Sequence, residues 1–394
     1  MKRIAICILA LAFAGTALAA PPRELATLTR IASKLSGLPA KRKVNVRVVS
    51  GAALERRATQ LLDRGYPRDR QAYDQTVYRA LGLLPPDGAL RPALLRRHVK
   101  GIRGLYDPQR RVAYVRRGAS RRDATLRVLV EALEDQAFDL RRLAGLRRGN
   151  RDAALGAAAA VQGTVAYAHL GTSIHLGAGA QKPVDAFVEL ESEFGQATGA
   201  RLAERLDYLG GRRAVWSALR RFPETTEQVF HVDAFLARER PVAISLPESA
   251  AGLALVRRDT WGELDVRSLL AVFQVPRVDM VGSGWGGGAS AVYRGAAGEA
   301  VALVLAWDSE QDASQWAEAV ETYANEAFDA DTPGRPATTP CRAAVCWSFA
   351  DRALAFARTG TFTSLVVGSD VDGAAALAVE LLFPQAVENL RNRQ

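Results

Sequence analysis

The chain has 394 residues, is 48% hydrophobic and carries a formal charge of +10, most of its basic residues being arginine. That apolar fraction supplies a packed core and excludes a disordered chain, and the length suits two or three domains. The basic excess is compatible with nucleic acid or with an anionic surface.

Residues 1–19 have the build of a secretory signal. Lys2 and Arg3 form a basic start, residues 4–15 an apolar core, and Ala17-Leu18-Ala19 a small-residue cleavage site. Cys7 falls inside the apolar core, too early for a lipoprotein cysteine. No later run is long and apolar enough for a bilayer span. The expected address is the bacterial periplasm, which removes nucleic acid as a partner and leaves paired arginines such as Arg121-Arg122 as solvated helix surface.

Residues 20–118 read as an N-terminal α/β region. Val44, Val46 and Val48 alternate with polar residues in a half-buried strand at 43–50. Helical patterns follow at 52–64, 70–81 and 90–98. Next comes a hairpin, 104–109 and 111–115, with Asp107-Pro108 at its turn. Residues 119–247 are mainly helical. Leu126, Leu129, Val130, Leu133, Ala137 and Leu140 recur at helical spacing, with Asp123 ahead of them as a candidate N-cap. A second, alanine-rich helix is expected at 152–170, a glycine-rich loop at 171–183, and further helices at 187–209 and 213–221.

Residues 251–394 read as a C-terminal α/β domain. Gly282-Ser283-Gly284-Trp285-Gly286-Gly287 has G-x-G-x-x-G spacing. The strand pattern after it, Ser290-Ala291-Val292-Tyr293, is the wrong context for a pyrophosphate, which needs a helix N-terminus there. Strands are expected at 300–307, 346–358 and 361–368. A helix opens at Ser309 with Asp312 and runs to about 328, and a last one covers 372–382. The class is α+β. Of the three cysteines, Cys341 and Cys346 outlast signal removal. A local disulfide is the default in an oxidising compartment, with free thiols or metal ligands as alternatives.

The helix at 127–140 carries a resemblance. Its Ala132-Leu133-Glu134-Asp135-Gln136-Ala137-Phe138-Asp139-Leu140 is similar to the A-L-x-D-Q-x-F-D-L run that follows H-E-x-x-H in a group of secreted gluzincin-like zinc metallopeptidases. The Gly104-Leu105-Tyr106-Asp107-Pro108 hairpin, the Pro223-Glu224-Thr225-Thr226-Glu227-Gln228-Val229-Phe230-His231 segment, and the Gly284-Trp285-Gly286-Gly287 and Trp307-Asp308-Ser309-Glu310 segments also resemble that group. The resemblance implies a zinc-helix pair in the helical core. It also places Arg127 and Glu131 where the histidines stand, Val128 at the general base, and Gln162 at the third ligand. An arginine at neutral pH offers no lone pair, a valine takes no proton, and zinc favours N, S and carboxylate donors over an amide. The expectation is therefore a metal-free metallopeptidase-like protein without a cofactor. Arg127, Glu131 and Gln162 would form a polar cluster in place of the ion, in a chain with a binding or structural role in the cell envelope. The hairpin strand, which lies along the cleft in active relatives, is a candidate for pairing with an extended peptide, behind the reading as a plain sheet strand. His231 is a weak candidate for the cleft, behind a structural reading. Two alternatives stay open: a divergent zinc-dependent or rearranged-site hydrolase drawing on Glu131, His169, His175 or His231, and a helical scaffold for a partner-binding C-terminal domain.

Overall fold

The computed structural model describes residues 18–19, 22–118, 121–146, 150–168, 182–296, 298–328 and 345–385. The N-terminal part opens with a two-residue strand β1 (Leu18–Ala19), helix α1 (Pro22–Ser36), strand β2 (Asn45–Val49), and helices α2 (Gly51–Gly65), α3 (Arg68–Ala80) and α4 (Leu90–His98). Strands β3 (Gly104–Asp107) and β4 (Val112–Arg116) complete a four-stranded sheet of order β1-β2-β4-β3, with β2 and β4 parallel and the other pairs antiparallel. Asp107 builds the expected turn. Its carboxylate accepts the Gln109 and Arg110 amides and pairs with Arg64 and Arg110.

Helix α5 (Arg121–Phe138) packs its Leu126, Leu129, Val130 and Leu133 face on this sheet and on α1. It begins two residues before Asp123, which lies in its first turn and is not its cap. A single turn α6 (Leu143–Leu146) leads into the alanine-rich α7 (Arg151–Ala168). Helix α8 (Pro183–Glu193) runs through a π-helical turn, Phe194–Thr198, into α9 (Gly199–Arg220). The expected break in that region is a kink at Gly210–Gly211, where Gly211 adopts φ 64°, open to glycine at little cost. Helices α7 and α9 touch backbone to backbone, since a Cβ on Gly163 would lie 2.0 Å from the Gly199 carbonyl carbon. Short helices α10 (Glu227–Phe230) and α11 (Val232–Ala237) follow.

The C-terminal part holds β5 (Ser249–Ala250), β6 (Leu253–Thr260), α12 (Glu263–Val272), α13 (Val278–Gly282), β7 (Trp285–Gly295), β8 (Gly298–Trp307), α14 (Glu310–Phe328), β9 (Val345–Ser348), β10 (Ala353–Thr359), β11 (Phe362–Gly368) and α15 (Val371–Glu380). Its seven strands form one wholly antiparallel sheet of order β5-β6-β7-β8-β11-β10-β9. The arrangement is thus α+β within this part too, not the α/β pattern expected. The single strand expected at 346–358 is two, because residues 349–352 turn the chain back on itself. Strand β8 shows why its sequence reads as one apolar run. Val301, Leu303, Leu305 and Trp307 face one core while Ala300, Ala302, Val304 and Ala306 face another, so both pleat faces are buried.

Packing runs across the segment boundaries drawn from the sequence. Tyr73, Val77, Tyr78 and Leu81 of the α3 region share a core with Trp261, Leu303 and Trp316. Tyr73 hydrogen-bonds Ser290 at 2.9 Å, and the Tyr323 hydroxyl donates to the Leu81 carbonyl at 3.0 Å. Among the described residues no helix is long and apolar enough to cross a membrane.

Candidate functional site

A groove of about 1100 Å³ opens between β3, α5, α7 and the α8–α9 segment. Along α7 its lining runs from Arg151 to Tyr167, roughly 24 Å at 1.5 Å per residue. Strand β3 is the sheet's edge, and Gly104, Leu105 and Tyr106 line the groove. The Arg116 N–H donates to the Arg103 carbonyl at 2.8 Å, which sets the alternation of the antiparallel pair. Gly104 and Tyr106 therefore turn their N–H and C=O away from β4, toward the open side.

Arg127, Glu131 and Gln162 all line this groove. Arg127 and Glu131 approach to 3.6 Å, and both keep surface, 43% and 23% of their side chains. Gln162 lies against the π-helical turn, where a Cβ on Gly195 would come within 2.4 Å of its Oε1. The Glu131 carboxylate accepts the outward N–H of Tyr106 on the edge strand. Burial raises its pKa, with Arg127 and the Tyr106 amide opposing. Val128 does not face the groove. It is 1% exposed within the core between α5 and the sheet, close against Gly104. The donor set fails the zinc test on its own chemistry, with one guanidinium, one amide and one carboxylate. Among the described residues no three of His, Cys, Asp and Glu group so as to hold a metal ion.

The residues that follow, at 134–139, have structural duties. Asp135 accepts the Tyr106 hydroxyl at 2.8 Å and the Leu140 amide at 2.9 Å, which ties β3 to the end of α5. Gln136 makes a two-way bond with the backbone of Arg42, at 2.9 and 3.0 Å. Asp139 takes a left-handed conformation, φ 55°, where α5 ends, and binds Arg141. Glu134 is buried, one oxygen lacks a hydrogen bond, and burial pushes its pKa well up.

The groove's inner end was not legible in the sequence. Tyr66, Arg70, Asp74, Tyr78, Arg151 and Glu191 line it. Arg151, 9% exposed, pairs with Glu191, stands 3.3 Å from Asp265 and donates to the Tyr78 hydroxyl at 2.9 Å. Arg70 pairs with Asp259, and Tyr66 donates to Asp74. Burial raises Glu191 to about 7 against the opposing pull of Arg151, and raises Asp265 as well. The sequence of α3, Arg-Asp-Arg-Gln-Ala-Tyr-Asp-Gln-Thr-Val-Tyr, reads as a solvated helix. The signal it does contain is Arg70 and Asp74 four residues apart between tyrosines, on a face that turns out to be buried.

The Pro223–His231 segment lies elsewhere and is structural, apart from the groove lining. The Thr226 hydroxyl donates to Asp152 at 2.6 Å and accepts the Leu264 amide at 3.1 Å. Gln228 bonds the Glu224 amide and the Glu239 carbonyl. His231 Nε2 meets Glu263 at 3.1 Å, and that bond raises the imidazole pKa. His169, His175 and Cys341 lie outside the described residues. Cys346 is buried on β9.

The comparisons with known proteins bear on the C-terminal part. Residues 253–378, about a third of the chain, match a family described as a domain of unknown function, DUF8575. That span holds six strands of the antiparallel sheet, β6 to β11, with α12 to α14 and most of α15. No curated protein and no solved structure matches the chain.

Proposed function

We propose that the chain is an exported, metal-free, metallopeptidase-like protein that binds an extended peptide or the strand of an envelope protein along β3, without cleaving it. The observation that carries this is an edge strand whose Gly104 N–H and C=O and Tyr106 C=O face outward, the Tyr106 N–H being held by Glu131, on a groove about 24 Å long. That length takes about seven extended residues at ~3.3 Å each. Strand addition draws affinity from main-chain hydrogen bonds and specificity from side-chain pockets. The chemistry around it supports binding over hydrolysis: Val128 is no base, and Arg127 and Gln162 do not polarise a carbonyl as a zinc ion does.

The test uses the full chain and a capped, randomised heptapeptide mixture. Retained peptides are sequenced, and the best binder is remade with alternate backbone amides N-methylated. The expected result is retention of intact peptide and loss of binding on N-methylation. Cleavage of the peptide, stoichiometric zinc in the purified protein, or undiminished binding of the N-methylated peptide overturns the reading.

A further inference from the structure

We propose that the inner end of the groove, beside Glu191, is a pocket for one basic side chain, lysine or arginine, of the bound peptide. This rests on the peptide-groove reading above and assigns its specificity.

The argument begins with charge. Among the described residues there, two guanidiniums, Arg70 and Arg151, are shared by four carboxylates, Asp74, Glu191, Asp259 and Asp265. The dry interior does not tolerate a surplus of ionised carboxylates, so either protons or an added cation must offset it. Access comes next. Asp74 is 3% exposed and Asp265 0%, whereas the Glu191 side chain keeps 13% of its surface. Glu191 is therefore the carboxylate a ligand can reach. Shape agrees with charge, because Leu62, Leu90, Leu94 and Val188 line the same cavity. They form an apolar sleeve for the methylenes of a side chain whose charged head ends at a carboxylate.

The protein is also arranged to release Glu191 to a ligand. Arg151 Nη1 and Asp265 Oδ1 are buried and make no hydrogen bond, though they stand 3.3 Å apart as an ion pair. When an incoming ammonium or guanidinium takes the Glu191 carboxylate, Arg151 keeps Asp265 as its counter-charge. The groups facing Glu191 are Asp74 and Tyr78 from α3, Arg151 from α7 and Asp265 from α12. With Glu191 held up to about 7, an incoming cation competes with its proton, so affinity for a basic peptide rises as pH climbs through 7.

The experiment extends the peptide selection on the full chain. Bound sequences are read for a position enriched in lysine or arginine, and a matched pair, lysine against norleucine at that position, is titrated by calorimetry at pH 5.5 and 8. The expected result is a lysine preference of about tenfold or more at pH 8, smaller at pH 5.5. In Glu191→Gln the preference is lost while the norleucine peptide still binds. His98 lines the groove too, in the native chain and the variant alike, so its contribution cancels between them. Peptides bound without a basic preference overturn the pocket and leave the groove reading intact. A preference that survives Glu191→Gln overturns it by placing the cation elsewhere. Retention of no peptide removes both readings together.

Discussion

Replacing Glu191 by glutamine tests the electrostatics of the inner groove without any ligand. The folded chain holds the Glu191 proton more tightly than the unfolded chain, with a pKa of about 7 against 4.5. This group's contribution to stability is thus complete below pH 4.5 and is lost as pH rises to 7. At ~1.36 kcal/mol per unit, the loss over that window comes to about 3 kcal/mol. Glutamine has nearly the shape of the protonated acid and does not titrate, so Glu191→Gln removes the slope. The two proteins should match within ~1 kcal/mol at pH 4.5. Between pH 5 and 7 the native chain should lose about 1.4 kcal/mol per unit more than the variant, worth roughly 2–3 °C per unit in Tm. Asp152, also raised to about 7 by burial, slopes in the same sense in both proteins and cancels in the difference. Urea unfolding of both proteins at half-unit intervals measures it. Parallel curves would mean that Glu191 is ionised throughout, and the argument from surplus carboxylates would fail.

Three further outcomes are expected. Gly163→Ala places a Cβ 2.0 Å from the Gly199 carbonyl carbon, so α7 and α9 must part by more than an ångström. The loss should reach ~3 kcal/mol in a thermal melt, against no loss for Gly145→Ala, whose Cβ meets nothing within 4 Å. Tyr106→Phe removes the hydroxyl that donates to buried Asp135 and should cost ~1–3 kcal/mol in urea. Combining Arg127→His, Glu131→His and Gln162→Glu puts three zinc donors on one groove, so added zinc should raise Tm in that variant and not in the native chain; no shift would show that the three positions do not converge closely enough.

The legible parts of the fold are those in which a period survives burial. Helix α4 falls on the residues its pattern predicts, and α2, α3 and the Asp107 hairpin fall within two residues. The N-terminus of α5 misled because Asp123 has a capping residue's chemistry but sits inside the first turn. Residues 346–358 misled because both strands in that span are apolar, and the four residues reversing between them include Phe349, which packs on the main core. At the site, Arg127, Glu131 and Gln162 were found through motif positions alone. The inner cluster was hidden because its partners come from α3, α7, α8 and α12, far apart in sequence, and a buried Arg70 or Asp74 looks like any surface residue until its neighbours are known.

Contacts within the chain hold the walls of the groove. Asp135 fixes the end of α5 to β3 through Tyr106, Gln136 fixes it to the loop before β2, and α7 is pressed on α9 by a glycine contact that no larger residue permits. Asp152 at the start of α7 is locked to Thr226 and, through it, to α12. Each of these ties lies outside positions 127, 128, 131 and 162. On the proposed metallopeptidase-like reading, these ties account for an intact downstream half of the motif beside differing residues at Arg127 and Gln162: Asp135, Gln136 and Gly163 answer to packing, whatever stands at the groove.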